Sequence, residues 1–236
     1  MKKIPAIELI GVNKTYEIHH DKPTLMEKIM KGKHETFQAI PYLDFTVWKG
    51  ETVGLIGPNG SGKTTLLKMI AGITSPTSGK ILRHGKVVSL IDLEAGFHED
   101  LSGVQNIQVN GMLLGLSRTF IHSSLKSIIR FADIGNFIDV PLYTYSAGMK
   151  LRLGFAIAVH TNPDIIILDE SMAVGDGNFY QKVRQKIQEF HRAHKTLVIA
   201  SHNIPEVYAT CSRIIHIEHG IIKKEEVRKN KNWETV

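Results

Sequence analysis

The run Gly57-Pro58-Asn59-Gly60-Ser61-Gly62-Lys63-Thr64-Thr65 restricts the folds open to this chain more than any other stretch. It fits the pattern G-x-x-x-x-G-K-[ST], a loop whose backbone wraps phosphate groups. Thr52-Val53-Gly54-Leu55-Ile56 precedes it and reads as a short buried strand. Thr65-Leu66-Leu67-Lys68-Met69-Ile70-Ala71 follows with helical spacing and stops at Gly72, a good C-cap. A glycine-rich turn alone needs no ligand. Strand, loop and helix in that order tie this one to phosphate. Glycines let backbone N–H groups approach the oxygens of a polyphosphate closely. The helix N-terminus adds partial positive charge. In such a loop Lys63 reaches the β- and γ-phosphates, and the Thr64 hydroxyl ligates Mg²⁺.

At 236 residues the chain reads as one large domain, or one domain with a small subdomain. No apolar run approaches the roughly 18 residues that would span a bilayer. The first residues, from Met1 to Glu8, lack the apolar core of a signal peptide. One cysteine, Cys211, excludes an internal disulfide and reads as a small packed residue. Together these features point to the cytoplasm. The net charge of +6 suits an anionic nucleotide, a membrane surface or nucleic acid, but solvated lysines would give the same value.

Residues Ile4 to Tyr16 and Phe45 to Ile56 read as strands, the second stretch broken by a turn at Lys49-Gly50-Glu51. Between them, Glu17 to Ala39 is polar and contains a short amphipathic helix: Thr24 and Glu27 form a capping box, and Leu25, Met26, Ile29 and Met30 share a face. Gly79 to Asp92 reads as two strands around a turn at Gly85. Asn106 to Ile134 is helical in pattern and suggests an inserted helical subdomain. Helices over Ala147 to His160, Phe179 to His194 and Ile204 to Ala209 alternate with strands at Ile165 to Leu168, Thr196 to Ala200 and Arg213 to Glu218. The alternation implies an α/β fold with a mainly parallel sheet covered on both faces. The charged stretch Lys223 to Lys231 reads as a frayed, solvated tail.

Ile165-Ile166-Ile167-Leu168-Asp169-Glu170 is an apolar strand ending in two carboxylates, about 100 residues after the phosphate loop. Asp169 is placed to hold the Mg²⁺ shell. Glu170 points elsewhere and can polarise a water for attack on the γ-phosphate. His202 follows the strand Thr196 to Ala200, at the end of an open α/β sheet where ligands gather, and can contact the γ-phosphate. Ser146 opens a helix as N-cap, forming an anion site with the following N–H groups.

These pieces come in a characteristic order: phosphate loop, helical block, Ser-x-Gly helix start, Asp-Glu strand, Ser-His. In that order the chain resembles the ATP-binding subunit of ABC transporters across essentially its whole length. Tyr145-Ser146-Ala147-Gly148-Met149, Ala173-Val174-Gly175-Asp176, Ala95-Gly96-Phe97-His98, Gly115-Leu116-Ser117-Arg118 and the inserted helix narrow the resemblance to exporters of O-antigen, teichoic acid or capsular polysaccharide. The resemblance implies a phosphate-loop NTPase fold with ATP and Mg²⁺ as ligands. The mainly parallel core sheet would be joined by an antiparallel β subdomain and a helical subdomain, roughly residues 100–160, within one domain over 1–236. The amphipathic insertion, roughly 22–33, would lie near the membrane. Tyr16 would stack on the adenine. Ser146 and Gly148 would grip the γ-phosphate of ATP held by a second copy, and Asp176 would cross that dimer interface. No Gln lies where the resemblance expects one to join Mg²⁺ to the permease; Asp92 or Glu94 would substitute, which leaves that residue unassigned. The chain ends 34 residues after His202, so no C-terminal sugar-binding domain is expected.

The expectation is therefore a homodimeric ATPase on the cytoplasmic face of the membrane. It would pair with integral membrane permease subunits that move lipid-linked polysaccharide, without nucleic acid. A soluble ABC-type ATPase acting on RNA, DNA or the ribosome fits less well, since the chain holds neither a second ATPase unit nor a long coiled-coil insertion. A GTPase switch or small-molecule kinase is a third reading. The guanine-reading Asn-Lys-x-Asp does not follow the phosphate loop; Asn13-Lys14-Thr15-Tyr16 precedes it and lacks the Asp.

Overall fold

A computed structural model describes residues 3–18, 35–169, 177–229 and 232–235. The amphipathic insertion expected near residues 22–33 lies outside them. In chain order the elements are β1 (Pro5–Ile18), β2 (Glu35–Trp48), β3 (Thr52–Ile56), α1 (Lys63–Ala71), β4 (Ser78–Arg83), β5 (Val87–Ser89), α2 (Gly103–Leu113) and α3 (Arg118–Ala132). There follow α4 (Ala147–Val159), β6 (Ile165–Asp169), α5 (Gly177–Arg192), β7 (Thr196–Ala200), α6 (Ile204–Thr210), β8 (Arg213–Glu218), β9 (Ile221–Lys229) and β10 (Asn232–Thr235).

Two sheets organise the chain. The first is antiparallel, in the order β2-β1-β4; the second has seven strands, β10-β9-β8-β3-β7-β6-β5. From β8 to β5 the second sheet is parallel, and β9 and β10 extend it antiparallel. Helix α1 is packed between the sheets. Leu66, Leu67, Met69 and Ile70 meet Ile7, Leu9 and Phe45 from one side and Ile165, Ile167 and Val198 from the other. Because side chains alternate along a strand, Ile166 and Leu168 face the opposite layer, with Phe155 of α4 and Phe179 and Val183 of α5. That two-sided burial explains why β6 is almost continuously apolar. A third cluster joins α2, α3 and α4 through Ile107, Ile121, Ile128, Leu153 and Ile157.

Four local expectations change. β2 begins at Glu35, ten residues before Phe45. Its exposed start, Glu35-Thr36-Phe37, has no apolar pattern but completes a backbone ladder with Glu17, Tyr16 and Ile18. The two strands of Gly79 to Asp92 do not pair; β4 joins β1 and β5 joins β6, in different sheets. The helical block is two helices, α2 and α3, separated at Gly115, whose φ of 80° a helix cannot continue through. The charged segment from Lys223 is no frayed tail. Its described part, 223–229, lies in β9, which pairs with β8 as far as Val227 and with β10 from Glu226 onward. The charges hid a strand whose ladder comes from its neighbour.

Candidate functional site

The site lies at the C-terminal ends of β3, β6 and β7, which the sheet order makes adjacent. β3 ends at Ile56 and the chain turns through Gly57 to Gly62 before α1 begins at Lys63. Gly57 has φ 154°, and a Cβ there would sit 2.0 Å from the Ile217 carbonyl oxygen, so only glycine fits. Gly62 caps α1 in the left-handed region, with no side-chain cap and no acidic residue in the first turn. The N–H groups of the helix start are thereby left to an anion. Lys63 folds back over the loop, its Nζ donating to the carbonyls of Gly57 at 2.8 Å and Pro58 at 2.9 Å. The Ser61 hydroxyl is buried inside the loop and has no hydrogen-bond partner among the described residues.

The Thr64 hydroxyl donates to Asp169 Oδ2 at 3.1 Å, across 105 residues of sequence. Two oxygen donors beside a phosphate cradle suit Mg²⁺, which keeps several waters and is bound through one or two protein groups plus phosphate oxygens. Among the described residues no group of three or more His, Cys, Asp and Glu is placed to hold a metal ion. Asp169 and His202 border one cavity of about 370 Å³ between α5 and α6, together with Tyr180, Arg184 and Asn203. Cys211 lies on the floor of the same cavity. Burial, then the Glu206 carboxylate, pushes its thiol up to about 12, so it is a packing residue without thiolate reactivity.

The other expected site residues stand farther out. Ser146 caps α4, its hydroxyl accepting from the Met149 N–H at 3.3 Å, with Gly148 in the first turn. Tyr16 lies near the end of β1, 36% exposed, with the Lys14 ammonium 4.7 Å from its ring centre. Its cross-strand partner is Phe37, 54% exposed. Pro58, Asn59, Gly60 and Thr65 complete the loop and helix start. Glu170 and Asp176 lie outside the described residues. Of the two acidic residues after β5, Asp92 approaches α1: its Oδ2 is 3.6 Å from Lys68 Nζ, one helical turn beyond Thr64.

Three contacts escaped the sequence reading. Glu99 accepts both hydrogen bonds of Lys150 Nζ, at 2.6 and 2.8 Å, and its carbonyl accepts from the Tyr143 N–H. The start of α4, with Ser146, is thus pinned to the segment before α2. Asn106, fully buried, accepts from the His98 N–H and donates to the carbonyls of His98, Leu101 and Ser102. Glu226 is buried on β9. The Asn106 contacts lie within eight residues, beside the capping box of Ser102 and Gln105, whereas the Glu99–Lys150 link spans 51 residues and the Tyr208–Glu226 bond 18.

Comparison with known proteins agrees with this geometry. The family described as ABC transporter matches residues 41–173. The teichoic acids export ATP-binding protein TagH of Shouchella clausii is 40% identical over 224 residues, covering 93% of this chain and 62% of that protein. The O-antigen export system ATP-binding protein RfbB of Klebsiella pneumoniae is 40% identical over 230 residues and 93% of each chain. RfbB of Myxococcus xanthus is 44% identical over 200 residues, and this chain spans 46% of its length. Among solved structures, a dimeric post-hydrolysis ATP-binding cassette bound to ADP and Pi has a TM-score of 0.73 at 21% identity, covering 95% of this chain and 99% of that one. That likeness concerns the fold. The family match runs unbroken from the phosphate loop through the Ser146 helix to the Asp169 strand, and by it this chain belongs to the ABC transporter family.

Proposed function

We propose that the chain binds and hydrolyses ATP and powers an exporter of lipid-linked polysaccharide of the O-antigen, teichoic acid or capsule type. The observation that carries the ATPase reading is the Thr64–Asp169 hydrogen bond beside the uncapped start of α1. It supports the reading of Thr64 and Asp169 as the pair that would hold a phosphate-bound Mg²⁺. The polysaccharide reading is supported by relatives named for teichoic acid and O-antigen export.

Backbone N–H groups from Gly60 to Thr65 hold the phosphates, and Lys63 exchanges its two carbonyl partners for phosphate oxygens. Thr64 and Asp169 would hold a Mg²⁺ ion, which would supply positive charge to offset that of the phosphates. Glu170 orients and deprotonates the attacking water, and His202 contacts the γ-phosphate. Tyr16 stacks on the adenine. Asp92, rather than Glu94, takes the place of the missing glutamine, supported by its contact with α1 through Lys68. Two copies face each other so that Ser146 and Gly148 of one close on the ATP of the other. The dimer sits on the cytoplasmic face of the membrane beside permease subunits through which the polysaccharide passes, with the insertion near residues 22–33 toward the membrane.

The test is nucleotide binding by Lys63→Ala. Loss of a charge-assisted contact is expected to weaken binding of a fluorescent ATP analogue at least about tenfold. Unchanged affinity refutes the phosphate-loop assignment.

A further inference from the structure

Glu226 has no part in the chemistry above, yet among the described residues it is the only buried acidic side chain, 7% exposed. Its carboxylate gathers three partners from three directions. The Tyr208 hydroxyl of α6 donates at 2.6 Å, His216 Nε2 of β8 lies at 2.6 Å, and Lys224 Nζ of β9 donates at 2.6 Å. Taking a carboxylate out of water is costly, and apolar residues of similar volume often do as well or better for stability. Stability gained over an apolar side chain is therefore a poor explanation for Glu226.

What the carboxylate adds is direction. Helix α6 has seven residues and buries only Val207. Val207 and Cys211 rest on Gly54 of β3, where a Cβ would come within 2.5 Å of Val207. Apolar contact of this kind brings a short helix close without fixing its rotation. The Tyr208–Glu226 hydrogen bond does fix it, and Trp233 of β10 packs edge-on against the Tyr208 ring with centroids 5.0 Å apart.

The helix in turn grips the loop that carries His202. The Ile204 N–H donates to the His202 carbonyl at 2.9 Å, the Val207 N–H to the Asn203 carbonyl at 3.1 Å, and the Asn203 N–H to Ser201 Oγ at 3.0 Å. On the other side, His216 is paired in register with Ile56, the last residue before the phosphate loop. One carboxylate thus bridges the strand beside the phosphate-loop strand and the helix behind His202. We propose that Glu226, acting through Tyr208, is a positioning residue that sets where His202 stands relative to the phosphate loop. The inference rests on the reading of His202 as a γ-phosphate contact.

Tyr208→Phe removes one hydroxyl and keeps the packed ring. It is expected to lower kcat for ATP about five- to tenfold, as small misplacements at a reacting centre do, with KM for ATP within about twofold. The His202 Cε1–H resonance, identified by its loss in His202→Gln, is expected to move. Lys224→Met removes another arm of the same carboxylate and is expected to leave kcat and that resonance unchanged. An unchanged kcat or an unmoved resonance in Tyr208→Phe overturns the proposal. So does an equal effect from Lys224→Met, which would mean general loosening of the hairpin. If His202→Gln itself leaves kcat unchanged, the reading of His202 fails instead, so the two failures are distinguishable.

Discussion

Within the phosphate loop, two glycines make different demands. Gly57 is held by space as well as backbone angle, since an added Cβ would overlap the Ile217 carbonyl. Gly60 has φ 76° with nothing within 4 Å, so only the angle opposes a side chain. Gly57→Ala is expected to destabilise the fold by about 2–4 kcal/mol, the range for a severe backbone clash. Gly60→Ala should cost only about 1–2 kcal/mol, the penalty for a left-handed L-residue. Urea unfolding of both variants measures the contrast, and equal losses would mean that the contact with β8 does not constrain the loop.

Two segments between elements are fastened by individual polar side chains. Asn106 closes the turn before α2, its amide oxygen accepting from the His98 N–H and its two N–H donors shared among three carbonyls. Asn106→Ala leaves the His98 N–H without its acceptor, while the His98, Leu101 and Ser102 carbonyls keep backbone donors, and is expected to cost about 1–3 kcal/mol, the penalty for one orphaned buried group. Nucleotide affinity should stay near wild type, because the Asn106 side chain bonds only to residues 98–102, outside the phosphate loop. A loss below about 1 kcal/mol in denaturant unfolding would show that water replaces the amide. At the same scale, the Glu99–Lys150 pair fastens α4 to the segment that follows Asp92, so any push on that segment reaches Ser146 through a charged link.

For the molecule as a whole, acid sensitivity and assembly are the properties to measure. Burial alone would raise the Glu226 carboxyl, but hydrogen bonds from Lys224, Tyr208 and His216 outweigh it and hold it at about 2. A carboxyl with a depressed folded value contributes stability that is complete above its unfolded value, near 4.5, and is lost as the pH falls toward 2. Unfolding free energy is expected to drop by on the order of 2 kcal/mol from this group between pH 5 and pH 2. In Glu226→Gln that part of the slope should disappear, which denaturant titrations across the range will show. For assembly, Glu170→Gln is expected to retain ATP, turn over at least about tenfold more slowly and sediment as a dimer with ATP and Mg²⁺, since loss of a general base costs about 10² or more. Turnover within tenfold of wild type would contradict the role given to Glu170. Much of this was legible in the residues themselves. The phosphate loop, the capped helix at Ser146 and the apolar strand ending at Asp169 are each written within about ten neighbouring residues, where spacing and chemistry leave few conformations open. The sheet order, the Thr64–Asp169 and Lys68–Asp92 contacts, the early start of β2, the strand within the charged C-terminal segment and the partners of Glu226 were decided only by the tertiary structure. Each needs a partner that lies on another element, and a ladder or a buried charge leaves no periodic mark on the segment that receives it.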